Sequence, residues 1–306
     1  MLQVIILLLG GALLLYVGGE FLVRGGSRMA RLLGISPMVA GLTVVAFGTS
    51  LPELVVSLVA ALEGREAIAV GNVIGSNIAN VGLIVGLSAI VFHVAVSGKR
   101  FLRDMNIMLG VTVLFGVMLL DGYVARWEGL ALFVGIIAYT YYRIVAGKGD
   151  SASSGKPGTV PANLALLVFG TLGLAFGAKM FVDGASQLAR TLGVAELVIG
   201  LTVVAYGTSL PELATSLVAA FRRESDISIG NIIGSNLFNM MGVIGLVSLV
   251  SPLTVDREVF TFELPIMIAF SLALYPVLVM KKRISKLYAL ALFLGYVTFL
   301  ITLFTR

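Results

Sequence analysis

Two glutamates in the middle of apolar segments are the residues best placed to do chemistry. Glu53 ends the run Gly48-Thr-Ser-Leu-Pro-Glu53, and Glu212 ends the identical run Gly207-Thr-Ser-Leu-Pro-Glu212, 159 positions later. A charged side chain inside a membrane span is costly and is usually functional. Hydroxyl residues lie three and four positions before each glutamate, on the same helical face, at Thr49, Ser50, Thr208 and Ser209. This pattern predicts a cation site.

A second duplicated motif adds amide and hydroxyl oxygens. The segment 71–80, Gly-Asn-Val-Ile-Gly-Ser-Asn-Ile-Ala-Asn, recurs at 230–239 as Gly-Asn-Ile-Ile-Gly-Ser-Asn-Leu-Phe-Asn. Residues 20–80 align with residues 179–239 without a gap, and 34 of the 61 aligned positions are identical. Residues four apart share a helical face, so each copy has one polar stripe: Asn72, Ser76 and Asn80, and then Asn231, Ser235 and Asn239. We expect the glycines of the motif to let helices approach closely.

Each glutamate directly follows a proline, Pro52 or Pro211. Proline has no amide hydrogen and clashes with the carbonyl four residues back, so it frees the carbonyls of Gly48 and Gly207 and weakens the helix there. Freed carbonyls are tolerated inside a membrane only where they face protein or a wet cavity. The prolines therefore predict a helix break beside each carboxylate, lined by oxygen.

The candidate ligands are carboxylate, hydroxyl, amide and carbonyl oxygens, without imidazole or thiol. Such a set favours Ca²⁺, Mg²⁺, Mn²⁺ or an alkali ion over zinc or copper. Two bidentate glutamates with one oxygen each from Thr49 and Thr208 would supply about six ligands, within the range that Ca²⁺ takes. Two negative charges balance one divalent ion, and sodium ions of similar radius could occupy overlapping positions.

The composition places most of the chain in lipid. Of the 306 residues, 58% are hydrophobic and 12% charged, and the mean hydropathy is +1.05, which excludes an ordinary soluble domain. We expect no cleaved signal peptide. The absence of cysteine excludes disulfides and thiolate metal sites. An all-α membrane protein is predicted with ten transmembrane helices, near 2–23, 38–62, 67–92, 104–120, 127–146, 161–182, 195–220, 226–250, 259–280 and 287–304.

The basic residues sort between alternate loops. By our assignment 14 lysines and arginines, Arg143 among them, fall on one side and five, Arg126 among them, on the other. The positive-inside rule then places both termini outside the cell membrane and the central linker in the cytoplasm, and it explains the net charge of +5 without nucleic acid. Five spans per half make the halves inverted-topology repeats. The predicted units are 1–146, a linker at 147–160, and 161–306.

Three smaller features carry expectations of their own. Glu20 with Arg24, and Lys179 with Asp183, stand four residues apart and are expected to form ion pairs within their own helices. The single histidine, His93, is expected at the membrane interface.

The paired motifs resemble the α-repeats of the sodium/calcium exchanger membrane family, in the cation/calcium antiporter superfamily, over nearly the whole chain. The resemblance implies cation sites between spans 2, 3, 7 and 8, with spans 1 and 6 sliding across them. Some members carry Asp at the position of Asn239. Residue by residue, it implies cation-coordinating roles for Ala46 through its carbonyl, Thr49, Ser50, Glu53, Ser76 and Asn80, and for Ala205, Thr208, Ser209, Glu212, Ser235 and Asn239.

The leading hypothesis is therefore an antiporter that exchanges Na⁺ for Ca²⁺ by alternating access. The alternative is a proton/Ca²⁺ antiporter. The resemblance disfavours it, because the proton-coupled branch of the family tends to carry additional acids in the second motif and this chain has none there. A cation channel fits the inverted repeat less well. No enzyme is expected, because no mid-membrane nucleophile has a paired base. The expected partners are membrane lipid and small cations, with no cofactor and no obligate protein partner.

Overall fold

A computed structural model describes residues 1–92, 99–148, 156–194, 206–255, 257, 259–276 and 284–305. Several features predicted from the sequence lie outside these residues: the start of the span at 195–220 with the candidate ligand Ala205, the end of the span at 259–280, the histidine His93, and half of the linker, at 149–155.

The first half of the chain begins with a long helix and a broken one. Helix α1, Leu2–Leu33, ends at Gly34, whose φ of 68° is left-handed and suits glycine. Helix α2, Pro37–Thr49, is capped by the Ser36 hydroxyl, which accepts a hydrogen bond from the amide of Val39. Helix α3, Leu51–Leu62, follows at an angle of 44°.

The break between α2 and α3 confirms the prediction made from Pro52. Ser50 separates the two helices with φ −88° and ψ 8°, and Pro52 stands in the first turn of α3, where a missing amide hydrogen costs nothing. Glu53 consequently lies in the first turn of a helix, where the dipole favours a carboxylate. The expectation of one continuous polar helical face is therefore wrong, because the axis turns at Ser50.

Three more helices complete the first half. Helix α4, Glu66–Val91, contains a π-helical stretch at Asn80–Val85. Helix α5 is Lys99–Met118, and helix α6 is Arg126–Ala146. Between them a short strand, β1, Tyr123–Val124, pairs antiparallel with β2, Leu253–Thr254, in the second half of the chain.

The second half repeats this order among the residues that the structure describes. It contains α7, Val160–Thr191, α8, Leu210–Phe221, α9, Ser225–Val250, α10, Val259–Ala273, and α11, Lys286–Thr305. A 3₁₀ turn, Gly207–Ser209, leads into α8, and Pro211 again stands in the first turn. Helix α9 has its own π-helical stretch at Phe238–Val243.

The described residues are almost entirely helical and suit a membrane. Among the described residues, seven helices are long and apolar enough to cross a bilayer, and the bent pair α2 and α3 makes an eighth. Helix α10 is apolar but shorter. The nearly all-helical membrane class is confirmed with one exception, the two-residue strands β1 and β2, which the sequence analysis did not predict.

Helices α4 and α9 form the centre of the molecule. In their apolar stretches 78% and 83% of the residues are buried, against 28% in α1 and α7. The latter two pack antiparallel along a line of glycines. A Cβ added at Gly18 would lie 2.7 Å from the amide nitrogen of Leu174, and one at Gly170 would lie 2.7 Å from that of Leu22. Such close backbone approach is typical of membrane helix pairs.

One predicted loop charge is in fact buried. Arg143 is 1% exposed inside α6, and its Nε atom lies 2.8 Å from Oδ1 of Asp104 in α5. The Tyr139 hydroxyl donates to the same carboxylate oxygen, at 3.2 Å. Arg143 was counted among the charges of one side, and the structure places it inside a helix, where an acid on the neighbouring helix compensates its buried charge.

The two predicted ion pairs within helices are confirmed. Arg24 lies 2.8 Å from Glu20, and Lys179 lies 2.8 Å from Asp183. Glu20 also contacts Arg222, which follows α8, so this acid joins α1 to the second half.

Candidate cation-binding site

The two glutamates lie where the helix breaks of the two halves meet α4 and α9. Glu53 and Glu212 are fully buried, each in the first turn after its break. Burying two carboxylates without compensating charge is costly, so a cation bound beside them would stabilise both.

Each carboxylate is approached by hydroxyl groups from the other half of the chain. The Ser50 hydroxyl donates to Oε1 of Glu212 at 2.9 Å. On the other side the Ser209 hydroxyl lies 3.2 Å from the Ser76 hydroxyl, and both lie beside the Glu53 carboxylate without a hydrogen bond of normal geometry. Ser50 of the first break therefore binds the glutamate that follows the second break, and Ser209 of the second break lies beside the glutamate that follows the first.

The threonines of the two breaks make matching contacts. Thr49 Oγ1 lies 3.1 Å from Oδ1 of Asn231, and Thr208 Oγ1 lies 3.3 Å from Oδ1 of Asn72. Thr49 Oγ1 is also 3.3 Å from the Ser235 hydroxyl and 3.2 Å from the Ala46 carbonyl. Since a hydroxyl has a single hydrogen to donate, its lone pairs face a cluster of oxygens, as a cation ligand requires.

Asn72 and Asn231 are held in turn by serines of α3 and α8. The Asn72 amide donates to the Ser57 hydroxyl at 3.0 Å, and the Asn231 amide donates to the Ser216 hydroxyl at 3.3 Å. These bonds direct both carbonyl oxygens toward the threonines. The two asparagines therefore position ligands, while the serines anchor them.

One helical turn farther along α4 and α9, two asparagine pairs cross the centre. Nδ2 of Asn80 donates to Oδ1 of Asn236 at 2.9 Å, and Nδ2 of Asn239 donates to Oδ1 of Asn77 at 3.2 Å. The analysis of the sequence overlooked Asn77 and Asn236. Their identity in both copies of the motif was the available signal.

Five buried oxygens of this region have no hydrogen-bond partner among the described residues. They are Oε1 and Oε2 of Glu53, Oε2 of Glu212, Oδ1 of Asn80 and Oδ1 of Asn239. A buried acceptor left unsatisfied costs about 1–3 kcal/mol, and more when it is charged. A hard cation would satisfy such oxygens, and the donor set contains only oxygen.

A cavity leads from the surface to one side of this cluster. Its volume is about 680 Å³, and its inner end is lined by Asn72, Ser76 and Thr208. Its lining also includes Lys179 and Asp183, whose side chains are 71% and 50% exposed. The cavity therefore borders the polar residues that lie beside Glu53.

The described structure brings most of the predicted ligands together. Hydrogen bonds and close approaches join Ala46, Thr49, Ser50, Glu53, Ser76, Ser209, Glu212 and Ser235. Thr208 joins the cluster through Asn72, whose Nδ2 donates to the carbonyl of Glu53 at 3.2 Å. Asn80 and Asn239 belong to the asparagine pairs one turn away.

Comparison with known proteins identifies the family. A family model described as "Sodium/calcium exchanger protein" matches residues 3–145 and again residues 162–305. The inner membrane protein YrbG of Escherichia coli strain K12 is 38% identical over 278 residues, which cover 87% of this chain and 86% of YrbG. The sodium/calcium exchanger MaX1 of Methanosarcina acetivorans is 34% identical over 342 residues, with 98% of each chain covered.

A solved structure shows the same architecture. The sodium-calcium exchanger NCX_Mj, soaked with 2.5 mM Na⁺ and 0.1 mM Ca²⁺, superposes with a TM-score of 0.86 at 34% identity, and 98% of each chain is covered. The matches extend over both halves and over all of the helices that hold the carboxylate cluster. The chain belongs to the sodium/calcium exchanger family.

Proposed function

We propose that this protein is an antiporter of the cell membrane that exchanges Na⁺ for Ca²⁺ by alternating access. The observation that carries the proposal is the pair of buried glutamates, which come from equivalent helix breaks and have three carboxylate oxygens without a described hydrogen-bond partner. The names of relatives support the choice of ions, since MaX1 and NCX_Mj are both sodium/calcium exchangers.

In this proposal the two carboxylates supply the charge and their neighbours complete the coordination shell. Glu53 and Glu212 balance one Ca²⁺, and the hydroxyl, amide and carbonyl oxygens contribute the remaining ligands. The proposed ligands are Ala46, Thr49, Ser50, Glu53, Ser76, Asn80, Ala205, Thr208, Ser209, Glu212, Ser235 and Asn239. We assign no enzymatic activity and no cofactor to the protein.

Coupling follows from charge balance. Two buried carboxylates are neutralised by one Ca²⁺ or by a set of Na⁺ ions, whereas both loads together would leave excess positive charge in a site of low dielectric constant. An unpaired charge there costs several kcal/mol. The two loads therefore compete, and competition at a shared site that opens to one side at a time is exchange.

The proposed topology has ten spans in two inverted repeats, 1–146 and 161–306, joined by a cytoplasmic linker at 147–160. The matched contacts of Thr49 with Asn231 and of Thr208 with Asn72 support it, because a two-fold relation between the halves produces such pairs. With both termini extracellular, the cavity opens to the outside. Membrane lipid and small cations are the proposed partners.

Uptake of ⁴⁵Ca²⁺ into proteoliposomes under imposed ion gradients tests the proposal. We expect uptake when Na⁺ is loaded inside and absent outside, and no uptake when a pH gradient alone is imposed. Vesicles without protein are the control. Uptake driven by the pH gradient and indifferent to Na⁺ would replace the proposal with a proton antiporter, and uptake that needs no counter-ion would indicate a channel.

A further inference from the structure

The duplication of the sequence continues beyond the two motifs and includes one more acid. At the same spacing of 159, the pairs Phe101 and Phe260, Asp104 and Glu263, Ile107 and Ile266, and Met108 and Met267 correspond. Glu263 in α10 is therefore the counterpart of Asp104 in α5. Both acids lie near the start of their helices.

The two acids differ in what faces them. Asp104 is fully buried and is paired with Arg143 of α6, with a further hydrogen bond from Tyr139. The run Leu-Ala-Leu-Phe at 130–133 in α6 recurs at 290–293 in α11. This alignment places Phe299 at the position of Tyr139 and Leu303 at the position of Arg143. Both polar partners of the acid are thus replaced by apolar side chains in the second half.

Glu263 accordingly keeps an unpaired oxygen. Its Oε2 atom is buried and has no hydrogen-bond partner among the described residues. Glu263, Phe299 and Leu303 all line the cavity that ends at Ser76 and Thr208. The arginine that pairs with the acid in the first half is therefore absent from the equivalent position in the second half, where the acid lines the cavity.

The other charged side chains of the cavity wall neutralise each other. The Nζ atom of Lys179 lies 2.8 Å from Oδ2 of Asp183. Among the described residues that line the cavity, Glu263 thus carries the unbalanced charge. A negative charge in an apolar cleft concentrates cations and raises their rate of entry, because the low dielectric of the walls focuses its field.

We propose that Glu263 is a cation-binding residue of the access cavity, which holds an incoming Na⁺ or Ca²⁺ before the ion reaches Glu53 and Glu212. The order of binding, in which an ion meets Glu263 before Glu53 and Glu212, rests on the proposed function. The binding of a hard cation at Glu263 does not rest on it and is tested separately.

Binding is measured with Tb³⁺, a hard cation whose emission is sensitised by nearby tyrosine. Tyr206 lines the same cavity. In the double variant Glu53→Gln and Glu212→Gln, which disables the central site, we expect residual sensitised emission that is lost when Glu263→Gln is added. The matched control is Lys179→Met with Asp183→Asn, which removes two charges, keeps the net charge of the cavity and should retain the emission. The proposal would be overturned if the emission persisted after Glu263→Gln is added, or if the double variant of Glu53 and Glu212 bound no Tb³⁺.

Transport provides the second readout, with a variant suggested by the first half of the chain. In the first half, Arg143 of α6 pairs with Asp104. Leu303→Arg places an arginine at the equivalent position of α11, where it should pair with Glu263. Both Leu303→Arg and Glu263→Gln should raise the KM for Ca²⁺ entering from the cavity side roughly fivefold or more, with little change in kcat, since field focusing acts on entry.

The controls separate this role from a structural one. Leu303→Met should leave KM unchanged, and Ca²⁺ entering from the opposite side should be unaffected in every variant. An equal loss of kcat from both sides together with a lower melting temperature would show a structural role and overturn the proposal. If the wild-type protein shows no Na⁺-driven uptake, the proposed function fails, while the Tb³⁺ measurement still decides the role of Glu263.

Discussion

The two halves of the carboxylate cluster are built from nearly identical sequences, yet among the described residues one half borders a cavity and the other is sealed by packing. Thr49, Asn231 and Ser235 are completely buried. Of their counterparts, Thr208 and Asn72 are half-buried and Ser76 is 4% exposed, and all three line the cavity. The chemistry is therefore duplicated, but access to it is not.

Packing against α9 accounts for the sealed half. A Cβ at Gly230 would lie 2.6 Å from the carbonyl oxygen of Met38, and one at Gly234 would lie 2.5 Å from that of Leu42, so α2 rests directly on the backbone of α9. In α4, by contrast, no described residue lies within 4 Å of a Cβ added at Gly71 or Gly75, and both line the cavity. The expected close helix approach is thus confirmed for α9 and for Gly82 of α4, where an added Cβ would lie 2.7 Å from Cβ of Tyr296. The counterparts of Met38 and Leu42 in the second half, at positions 197 and 201, lie outside the described residues.

This difference shows that one sequence motif is compatible with two environments. Under the proposed function the two environments exchange, and each half of the cluster is sealed in turn.

The carboxylates should be shared by both halves, so neutralising either one should abolish exchange from either side. Removing one partner of a buried ionic cluster costs about 3–5 kcal/mol, which is roughly a 100-fold or greater loss of affinity. We expect Glu53→Gln and Glu212→Gln to show no ⁴⁵Ca²⁺ uptake while they elute as folded protein in size-exclusion chromatography. Near-normal uptake by either variant would refute the shared site.

Accessibility should differ between the equivalent positions Asn72 and Asn231. The chain has no cysteine, so single cysteines introduced there report on access without background. Asn72→Cys should react with a membrane-impermeant thiol reagent about tenfold or more faster than Asn231→Cys, because only an exposed thiol forms the reactive thiolate readily. Equal labelling rates would show that positions 72 and 231 are equally accessible and would contradict the difference between the two halves.

The same chemistry tests the orientation. Arg126→Cys should react with external reagent and Lys156→Cys only after the membrane is permeabilised, according to the positive-inside rule. The reverse pattern would place both termini in the cytoplasm and turn the cavity inward.

Competition between ions tests whether the two halves form one site. Raising Na⁺ at fixed Ca²⁺ should increase the apparent Kd for Ca²⁺ several-fold with a Hill coefficient above one, because more than one Na⁺ is needed to replace a divalent ion at two carboxylates. Isothermal titration calorimetry measures this shift, with choline as the control cation. A Kd independent of Na⁺ would mean that the ions bind separately.

The smallest effects are expected from the glycines. Gly234→Ala should destabilise the protein by about 1–3 kcal/mol, since the added methyl overpacks the contact with α2. Gly75→Ala, in the cavity wall, should leave the melting temperature unchanged and slow exchange if α4 must become packed during transport. Thermal unfolding and uptake assays measure the two effects. Equal destabilisation by both variants would contradict the difference between α4 and α9.

The sequence by itself determines properties that belong to one short segment or that are sums over many residues. Lipid residence follows from summed hydropathy, the helix breaks follow from Pro52 and Pro211, and the oxygen-only donor set follows from side-chain types within two short motifs. Duplication then suggests that both carboxylates serve one site. Each of these conclusions needs no knowledge of which distant segments touch.

Only the tertiary structure decides which distant residues meet. The pairing of Asn77 with Asn239, the burial of Arg143 against Asp104 and the unpaired oxygen of Glu263 all depend on contacts between separate helices. Periodicity within one helix specifies a face but not the neighbour of that face. For the same reason the surroundings of Gly234 are set by α2, the helix that packs opposite it, and not by the motif in which it stands.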